Sequence, residues 1–413
     1  MAPVTASPHR RPRTRPRATG LAGPPIPVEE ALRRARARAV RPGAEWVPLA
    51  GLAGRRLAAP VVAGEDLPAG DCSAMDGWAL RNADPPPRYR VVGESAAGRP
   101  LRGALRPGEA CRISTGAPLP PGADAVVKRE DGRERGRLLV VADPPRPWAH
   151  VRRRGEDLAG GRAVLDVGVT VAAHEVAVVA GAGHSGAMCR RRPRVSILTT
   201  GDELVPHGAA RPPGAVVDSN RAGLAAQAEA AGASVHESAH APDDRLLTRA
   251  ALAGLLEGAG APPDLVVTVG GISVGAHDHV GPALESLGAR WVLRGVAVRP
   301  GHPVGIALSG GVAVLALPGN PAAAAVCFHL LGRPLLGVPD DWCCAGTLRG
   351  PIARHARATL LVRCAESVDG LLPLEHQGSA ELSSLAGARA LAWIDAGAGT
   401  VPAGATVRAS RLP

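Results

Sequence analysis

Apolar positions recur in two different rhythms along the 413 residues. From Val28 to Val40 the run VEEALRRARARAV follows Pro27 with helical spacing, its acids (Glu29, Glu30) at the positive end and arginines toward the other. A helix is predicted there. Between 60 and 157 that rhythm breaks. Gly and Pro recur every few residues, and short β-type runs appear at Tyr89–Val92, Ala125–Val127 and Leu138–Val141, which predicts a small β-rich module. Residues 170–182, TVAAHEVAVVAGA, read as helix again. From Arg194 strand-like runs (RVSILTT, SVHESAH, DLVVTVGG, VAVLAL) alternate with helical ones (221–233, 243–260, 280–288 and from Pro321). Such alternation predicts βαβ units and a doubly wound parallel sheet. Past Pro334 the chain returns to turn-rich β runs. The expected fold is therefore α/β plus β modules. Residues 1–24 form a basic tail, 25–60 and 158–192 a helical linker domain, 61–157 an inserted β domain, 193–334 the α/β domain and 335–413 a C-terminal β domain.

Composition changes this picture in three places. Aromatic residues are only 2%, so the core must be built from Ala, Val, Leu and Ile. Lys128 is the only lysine among 48 basic residues, a lopsided usage in which an Arg at any one position says little by itself. The net charge of +11 invites a nucleic-acid reading, but five of those charges (Arg10, Arg11, Arg13, Arg15, Arg17) sit in the Pro-rich tail. The chain offers no aromatic platform for single strands and no helix-turn-helix or zinc-finger spacing. Seven scattered cysteines without a C-x-x-C read as reduced thiols in a cytosol. The N-terminus lacks the apolar stretch of a secretory signal, and no apolar run reaches the roughly 18 residues of a membrane helix.

Ligands of an open α/β sheet bind at the carboxyl ends of its strands. Three strand ends here carry suitable residues. Thr199-Thr200-Gly201-Asp202-Glu203 offers a tight turn, hydroxyls for an anion and carboxylates for a cation. Gly270-Gly271-Ile272-Ser273-Val274-Gly275, with Asp278 beyond, lets a ligand approach bare backbone. Pro318-Gly319-Asn320-Pro321 sets an N-cap residue before a proline at the first helical position. Each alone is an ordinary turn; three on one sheet mark a site suited to a polyphosphate and a hard cation. Arg299-Pro300-Gly301-His302-Pro303 reads either as a surface turn or as an anion clamp. Asp243-Asp244 can simply start a helix. Gly181–Gly186 matches GxGxxG but follows a helix rather than a strand, the wrong context for a dinucleotide. Gly271–Gly275 matches GxSxG, so a serine hydrolase using Ser273 is a rival reading.

Taken in order, SAMDGWAL, RISTGAPLPPGADAVVKRED, VRRRGEDL, ILTTGDELV, VTVGGISVGAHDHV, VRPGHPVGIAL and LALPGNPAAAAV make the chain resemble the molybdopterin molybdenumtransferases, the molybdenum insertases, to which the E domain of gephyrin is also similar. The resemblance covers residues 26–413 and implies that the α/β domain is of the molybdopterin-binding type. It also implies an enzyme that binds adenylylated molybdopterin, inserts molybdenum from molybdate and, with Mg²⁺, cleaves the phosphoanhydride to release molybdenum cofactor and AMP. It places Glu203, Asp243, Asp244 and Asp278 around the metal. Thr200, Gly201, Asp202, Gly270, Gly271, Ser273, Arg299, His302, Pro318, Asn320, Pro321 and Ser379 would bind substrates. Asp76 and Thr115 would join Glu203 and Asp278 in catalysis, reaching the site from the partner subunit of a homodimer. The adenylyltransferase and apo-molybdoenzymes are the further partners implied, in the cytoplasm.

The basic loop departs from the resemblance. A KPGKP pattern is replaced by Arg299 and His302, and Ala276-His277 stand where relatives can carry an acid. Two other classes share the α/β residues: an adenylyltransferase, which favours a Thr-Gly-Gly-Thr-Gly loop where this chain has Thr268–Ser273, and a non-catalytic scaffold. Because His302 is cationic only when protonated, insertion is expected to slow as pH rises past neutrality. A rate profile flat from about pH 6 to 9, around the usual histidine range, would count against it.

Overall fold

The structure, a computed structural model, describes residues 24–84, 88–143, 145–273, 275, 278–339, 341–342 and 344–413; the basic tail lies outside the described residues except for Pro24. The chain divides into two units, residues 43–191 and residues 1–42 with 192–413.

In the first unit the Gly- and Pro-punctuated runs form a six-stranded sheet. Its order is Ala125–Lys128, Gly77–Leu80, Glu109–Ile113, Arg88–Ser95, Leu138–Val141 and Gly132–Arg135. Both faces are apolar: Trp78, Leu80, Tyr89 and Leu139 pack on one, Ala79, Cys111, Ile113 and Val126 on the other. Short ladders join Ala44–Pro48 to Gly186–Arg190, Val61–Val62 to Ala163–Leu165 and Cys72–Ser73 to Val151–Arg152. The helix expected over 170–182 spans only Glu175–Gly181. The backbone N–H of Val171 is taken by Arg55 O at 2.9 Å, and the N–H of Ala172 by the Glu175 carboxylate at 2.7 Å. The first residues of that run therefore belong to a cross-link and a cap, not to a helical turn.

The second unit holds α1 (Val28–Ala37), β1 (Arg194–Thr200), α2 (Ser219–Ala230), β2 (Ser234–Ala241), α3 (Arg245–Glu257), β3 (Leu265–Val269), α4 (Val280–Ser286), β4 (Arg290–Arg294), β5 (Gly305–Ser309), β6 (Val312–Leu317) and α5 (Pro321–Cys327). The sheet order is β2-β1-β3-β6-β5-β4. Alternation along the buried strands assigns the two faces. Leu265, Val267 and Val269 of β3 and Ala313, Leu315 and Leu317 of β6 meet Leu224 of α2, Ala324 of α5 and Val28, Ala31 and Leu32 of α1. Val266, Val312 and Val314 meet Leu252 of α3 and Val280 and Leu284 of α4. Helices on both faces explain why β3 and β6 are buried at every position, with Thr268 the one polar residue in either strand.

Two features depart from the sequence reading. The doubly wound sheet is parallel only across β2, β1, β3 and β6; β5 and β4 extend it antiparallel. The cause is a two-residue hairpin, Gly310-Gly311, with φ of 55° and 90°, which only glycine adopts readily at both places. Helix α1, which the sequence pattern groups with 158–192, packs in the core of this second unit.

The C-terminal β strands form a sheet in the order Val298–Arg299, Thr359–Ser367, Ala390–Ile394, Thr406–Arg411 and Cys344–Thr347. Its Leu361, Leu391 and Trp393 share a core with the α/β sheet. Beyond α5 the chain winds through a π-turn, Phe328–Gly332, which buries His329 against Trp342, ring centroids 5.8 Å apart. Ser410 donates to Asp341, so the contact of His329 Nε2 with Ser410 Oγ at 2.6 Å requires a hydrogen on Nε2. Nδ1 then accepts from Arg333 at 3.3 Å, which a neutral ring alone can do. Among the described residues no helix is long and apolar enough to cross a membrane.

Burial, and then the Arg333 charge, lower the His329 pKa to about 4 from 6.5, while Asp341 opposes the shift. The unfolded chain therefore binds the extra proton first. The stability held by neutral His329 is complete above about pH 6.5 and is lost as pH falls through about 4, a change of about 3 kcal/mol at most. His329→Gln is expected to flatten the acid limb of Tm against pH relative to wild type. Parallel acid limbs would contradict this.

Candidate active site

Loops at the carboxyl ends of β1, β3 and β6 surround one crevice of about 770 Å³. The first is anchored from below. Thr199 Oγ1 donates to Asp218 Oδ2 at 2.7 Å, Arg221 donates to the same oxygen at 2.9 Å, and Asp218 Oδ1 accepts the Arg221 N–H that starts α2. Asp218 is 5% exposed while Arg221 reaches solvent, so a half-buried ion pair fixes the strand end to the helix start. Above it, Thr200, Gly201 and Glu203 line the crevice. A Cβ on Gly201 would lie 2.3 Å from Glu203 Oε2; only glycine lets that carboxylate fold back over the backbone. Asp202 does not line the crevice. Its Oδ1 accepts Asp243 N at 3.0 Å and so holds Asp243, which does. Asp244 caps α3 through Leu246 N and Leu247 N, both at 2.8 Å, and faces away from the lining set.

The second loop turns on Gly270 and Gly271, with φ of 91° and 61°. Ser273 and Asp278 line the crevice, and Asp278 Oδ2 accepts Gly275 N. Val274, Ala276 and His277 lie outside the described residues. Helix α4 begins at Val280, so Ser273 stands on a loop and not on the strand-to-helix elbow that a GxSxG hydrolase needs. In the third loop Asn320 occupies the N-cap position before Pro321, as expected, but its side chain does not cap. Its Nδ2 donates to Ser379 Oγ at 2.9 Å, and the adjacent Gly319 O accepts from Asn220 Nδ2 at 2.7 Å. Asn220, Ser219 and Arg211 also line the crevice and were not singled out from sequence. The polar triplet Asp218-Ser219-Asn220 at the start of α2 was the only signal for Ser219 and Asn220; nothing marked Arg211.

Glu203, Asp243 and Asp278 thus share one crevice. Among the described residues no three acidic, His or Cys side chains gather closely enough to hold a metal by themselves. Hard oxygens spread in this way fit Mg²⁺, which takes one or two carboxylates and completes its shell with phosphate oxygens and water.

A second cavity of about 680 Å³ shares Pro303, Pro318 and Asn320 with the first. Arg299, His302, Gln377 and Ser379 line it. A Cβ on Gly301 would lie 2.0 Å from Cys327 Sγ, so this loop can pass only as glycine. His302 Nδ1 donates to Val296 O at 3.0 Å, leaving Nε2 as the ring's other polar atom. Beside the Gln377–Ser379 loop lies Arg363, fully buried. Its Nη2 reaches Gly378 O at 3.1 Å, whereas Nε and Nη1 have no hydrogen-bond partner among the described residues. Burial lowers its pKa, against the nearby Glu381. In sequence Arg363 is an unremarked position in LLVRCAE; burial alone distinguishes it.

Asp76 and Thr115 belong to the other unit. There Asp76 Oδ1 accepts Thr115 N at 2.7 Å and Thr115 Oγ1 at 3.1 Å, and these bonds hold the carboxyl below its usual range.

A doubly wound domain with phosphate-type loops beside a cation-lined cavity defines a class of anion-handling transferase, and comparison with known proteins gives its family. Residues 26–183 match the MoeA N-terminal region (domain I and II), and residues 196–337 match the probable molybdopterin binding domain. The chain is 35% identical to the molybdopterin molybdenumtransferase of Nostoc sp. over 89% of each chain. It is 31% identical to that of Bacillus subtilis over 93% of each. A solved molybdopterin biosynthesis moeA protein of Pyrococcus superposes with a TM-score of 0.81 at 27% identity, covering 94% of this chain and 99% of that one. The chain belongs to the molybdopterin molybdenumtransferase family.

A Cβ on Gly270 would lie 2.7 Å from Thr200 Oγ1 and 3.0 Å from Thr200 O, on a backbone that side chains resist. Gly270→Ala should cost about 1–3 kcal/mol of strain, read as a lower Tm. Gly319→Ala, whose Cβ would meet only Gly270 Cα at 3.5 Å, should leave Tm nearly unchanged. Equal Tm for the two variants would refute this account of the turn.

Proposed function

We propose that this chain inserts molybdenum from molybdate into adenylylated molybdopterin, giving molybdenum cofactor and AMP. The observation that carries the reading is the pairing of two cavities: a carboxylate-lined crevice with bare glycine turns adjoins a cation-lined cavity across Asn320 and two prolines.

The 770 Å³ crevice suits a nucleotide-capped pterin, whose phosphates would lie against the Gly270-Gly271 turn and the Thr200-Gly201 backbone. The second cavity suits a tetrahedral dianion. Arg299 supplies a fixed charge, Ser379 a hydroxyl and His302 Nε2 a donor when the ring is protonated, with the buried Arg363 charge behind the loop. In the reaction two oxo groups of molybdate leave as two waters, taking the two thiol protons and two further protons from solvent, while the dithiolene sulfurs bind molybdenum. Water then adds to the phosphoanhydride, and the bond to AMP breaks. Glu203, Asp243 and Asp278 would hold Mg²⁺, which when bound neutralises charge on the phosphate oxygens. The chain's own residues hold the substrates in register: Asn320 braces Ser379, Asn220 braces Gly319, and Asp202 places Asp243.

The resemblance also supports a homodimer in which Asp76 and Thr115 complete the site of the partner subunit, and a cytoplasmic enzyme receiving its substrate from an adenylyltransferase and delivering cofactor to apo-molybdoenzymes. The adenylyltransferase and scaffold readings gain nothing from the curated relatives, which are named molybdenumtransferases.

Incubation with adenylylated molybdopterin, molybdate and Mg²⁺ should release AMP and activate an apo-molybdoenzyme. Asp278→Asn should lower AMP release at least about 100-fold, and Arg299→Ala should raise the molybdate requirement about tenfold or more. Undiminished AMP release by Asp278→Asn would point to a scaffold.

A further inference from the structure

The only lysine of the chain lines a cavity that the proposed reaction does not use. In the 43–191 unit, Lys128, Asp131, Asp143, Arg146 and His150 surround a space of about 600 Å³ walled by Val126, Val127, Ala142 and Ala149. That volume lies within the range of small-molecule sites. The side chains of Lys128, Arg146 and His150 form no hydrogen bond or ion pair with any described residue. Among the described residues, three nitrogen-bearing side chains therefore stand without partners round one space.

The backbone that brings them there is held in an uncommon conformation. Trp148 and His150 are the only non-glycine described residues with positive φ, 61° and 55°. The loop is fastened on both sides: Trp148 N donates to Asp124 O at 2.7 Å, Val126 N to Ala149 O at 2.9 Å, and Arg153 stacks on the Trp148 ring at 3.6 Å. Strain of this kind persists only where surrounding contacts over-determine it.

The polar groups of this space also restrict its ligand. Lys128, Arg146 and His150 suit a phosphate, whereas Asp131 and Asp143 need hydrogen-bond donors. A bare anion would meet both carboxylates. A ligand with a phosphate at one end, hydroxyls or an amino group elsewhere and an apolar ring to lie against Ala142, Pro145 and Ala149 satisfies all of them. We propose that this cavity is a nucleoside monophosphate site, separate from the glycine-loop crevice of the other unit.

A single lysine makes the test site-specific. Lys128 and the N-terminal amine are the only amines acetic anhydride can convert to stable amides, and peptide mass spectrometry separates the two. With the full chain and AMP as probe, saturation should slow acetylation of Lys128 about tenfold and leave the N-terminal amine unchanged. Arg146→Ala should remove that protection, and the paired change Asp131→Asn with Asp143→Asn should weaken it for AMP but not for inorganic phosphate. Asp278→Asn, which disables the crevice under the proposed function, should protect like wild type, so failure of either idea is read separately. Lys128 acetylated at one rate with and without AMP would overturn the proposal. Protection that survives Arg146→Ala would do the same, and equal protection by inorganic phosphate would overturn the nucleoside part.

Discussion

The crevice depends on one close approach, that of the Gly270 backbone to the end of β1. A ligand held by peptide N–H groups needs strand ends that lie near each other with no side chain between them. Gly270 leaves no room even for a methyl group beside Thr200, and Gly201 leaves none beside Glu203. The rest of the α/β unit serves this approach. Val266 and Val267 bury β3 on both faces, and the Thr199–Asp218–Arg221 contact fastens β1 to the helix behind it. Strand ends that cannot slide keep the two turns in register.

A core with so few aromatic side chains reaches this rigidity by alternation. Short aliphatic residues on successive positions of β3 and β6 fill two separate cores, each closed by its own helices. Two of the large aromatics close the edge of one of these cores. Trp342 and Trp393 meet at 5.2 Å where the C-terminal sheet joins the α/β core, next to the His329 knot. There Ser410 links His329 to Asp341, whereas Arg363 leaves two guanidinium nitrogens without partners among the described residues. An arginine buried without full satisfaction is costly, and its Nη2 holds the Gln377–Ser379 loop through Gly378 O.

Charge on this chain is informative only where burial or pairing selects it. The excess of arginine makes most basic positions interchangeable on the surface, where pairs such as Arg33 with Glu30 contribute little. Arg221 differs because its partner Asp218 is buried. Lys128 differs because it departs from the usage of the whole chain and borders a cavity.

Much of the site was legible in the sequence because turn chemistry is local. Gly270-Gly271, Pro318–Pro321 and the Thr199–Glu203 run announce strand ends by residue type alone, and the period of the apolar residues identifies the helices that follow them. Asp202, Asp244 and Asn320 show where locality ends. Each has the right chemistry for a ligand, yet Asp202 holds Asp243 and Asp244 caps a helix, while Asn320 lines both cavities and also braces Ser379, since the partner that claims each side chain is set by packing. Arg363 was silent for the opposite reason, because nothing in its neighbours along the chain reveals that it is buried. The sequence by itself determined the parallel strands of the α/β unit, the helices between them and the anion-type turns, since these follow from side-chain period and backbone freedom. Only the tertiary structure decided which carboxylates share a crevice and which cations lose their solvent, because those depend on contacts between residues far apart in the chain.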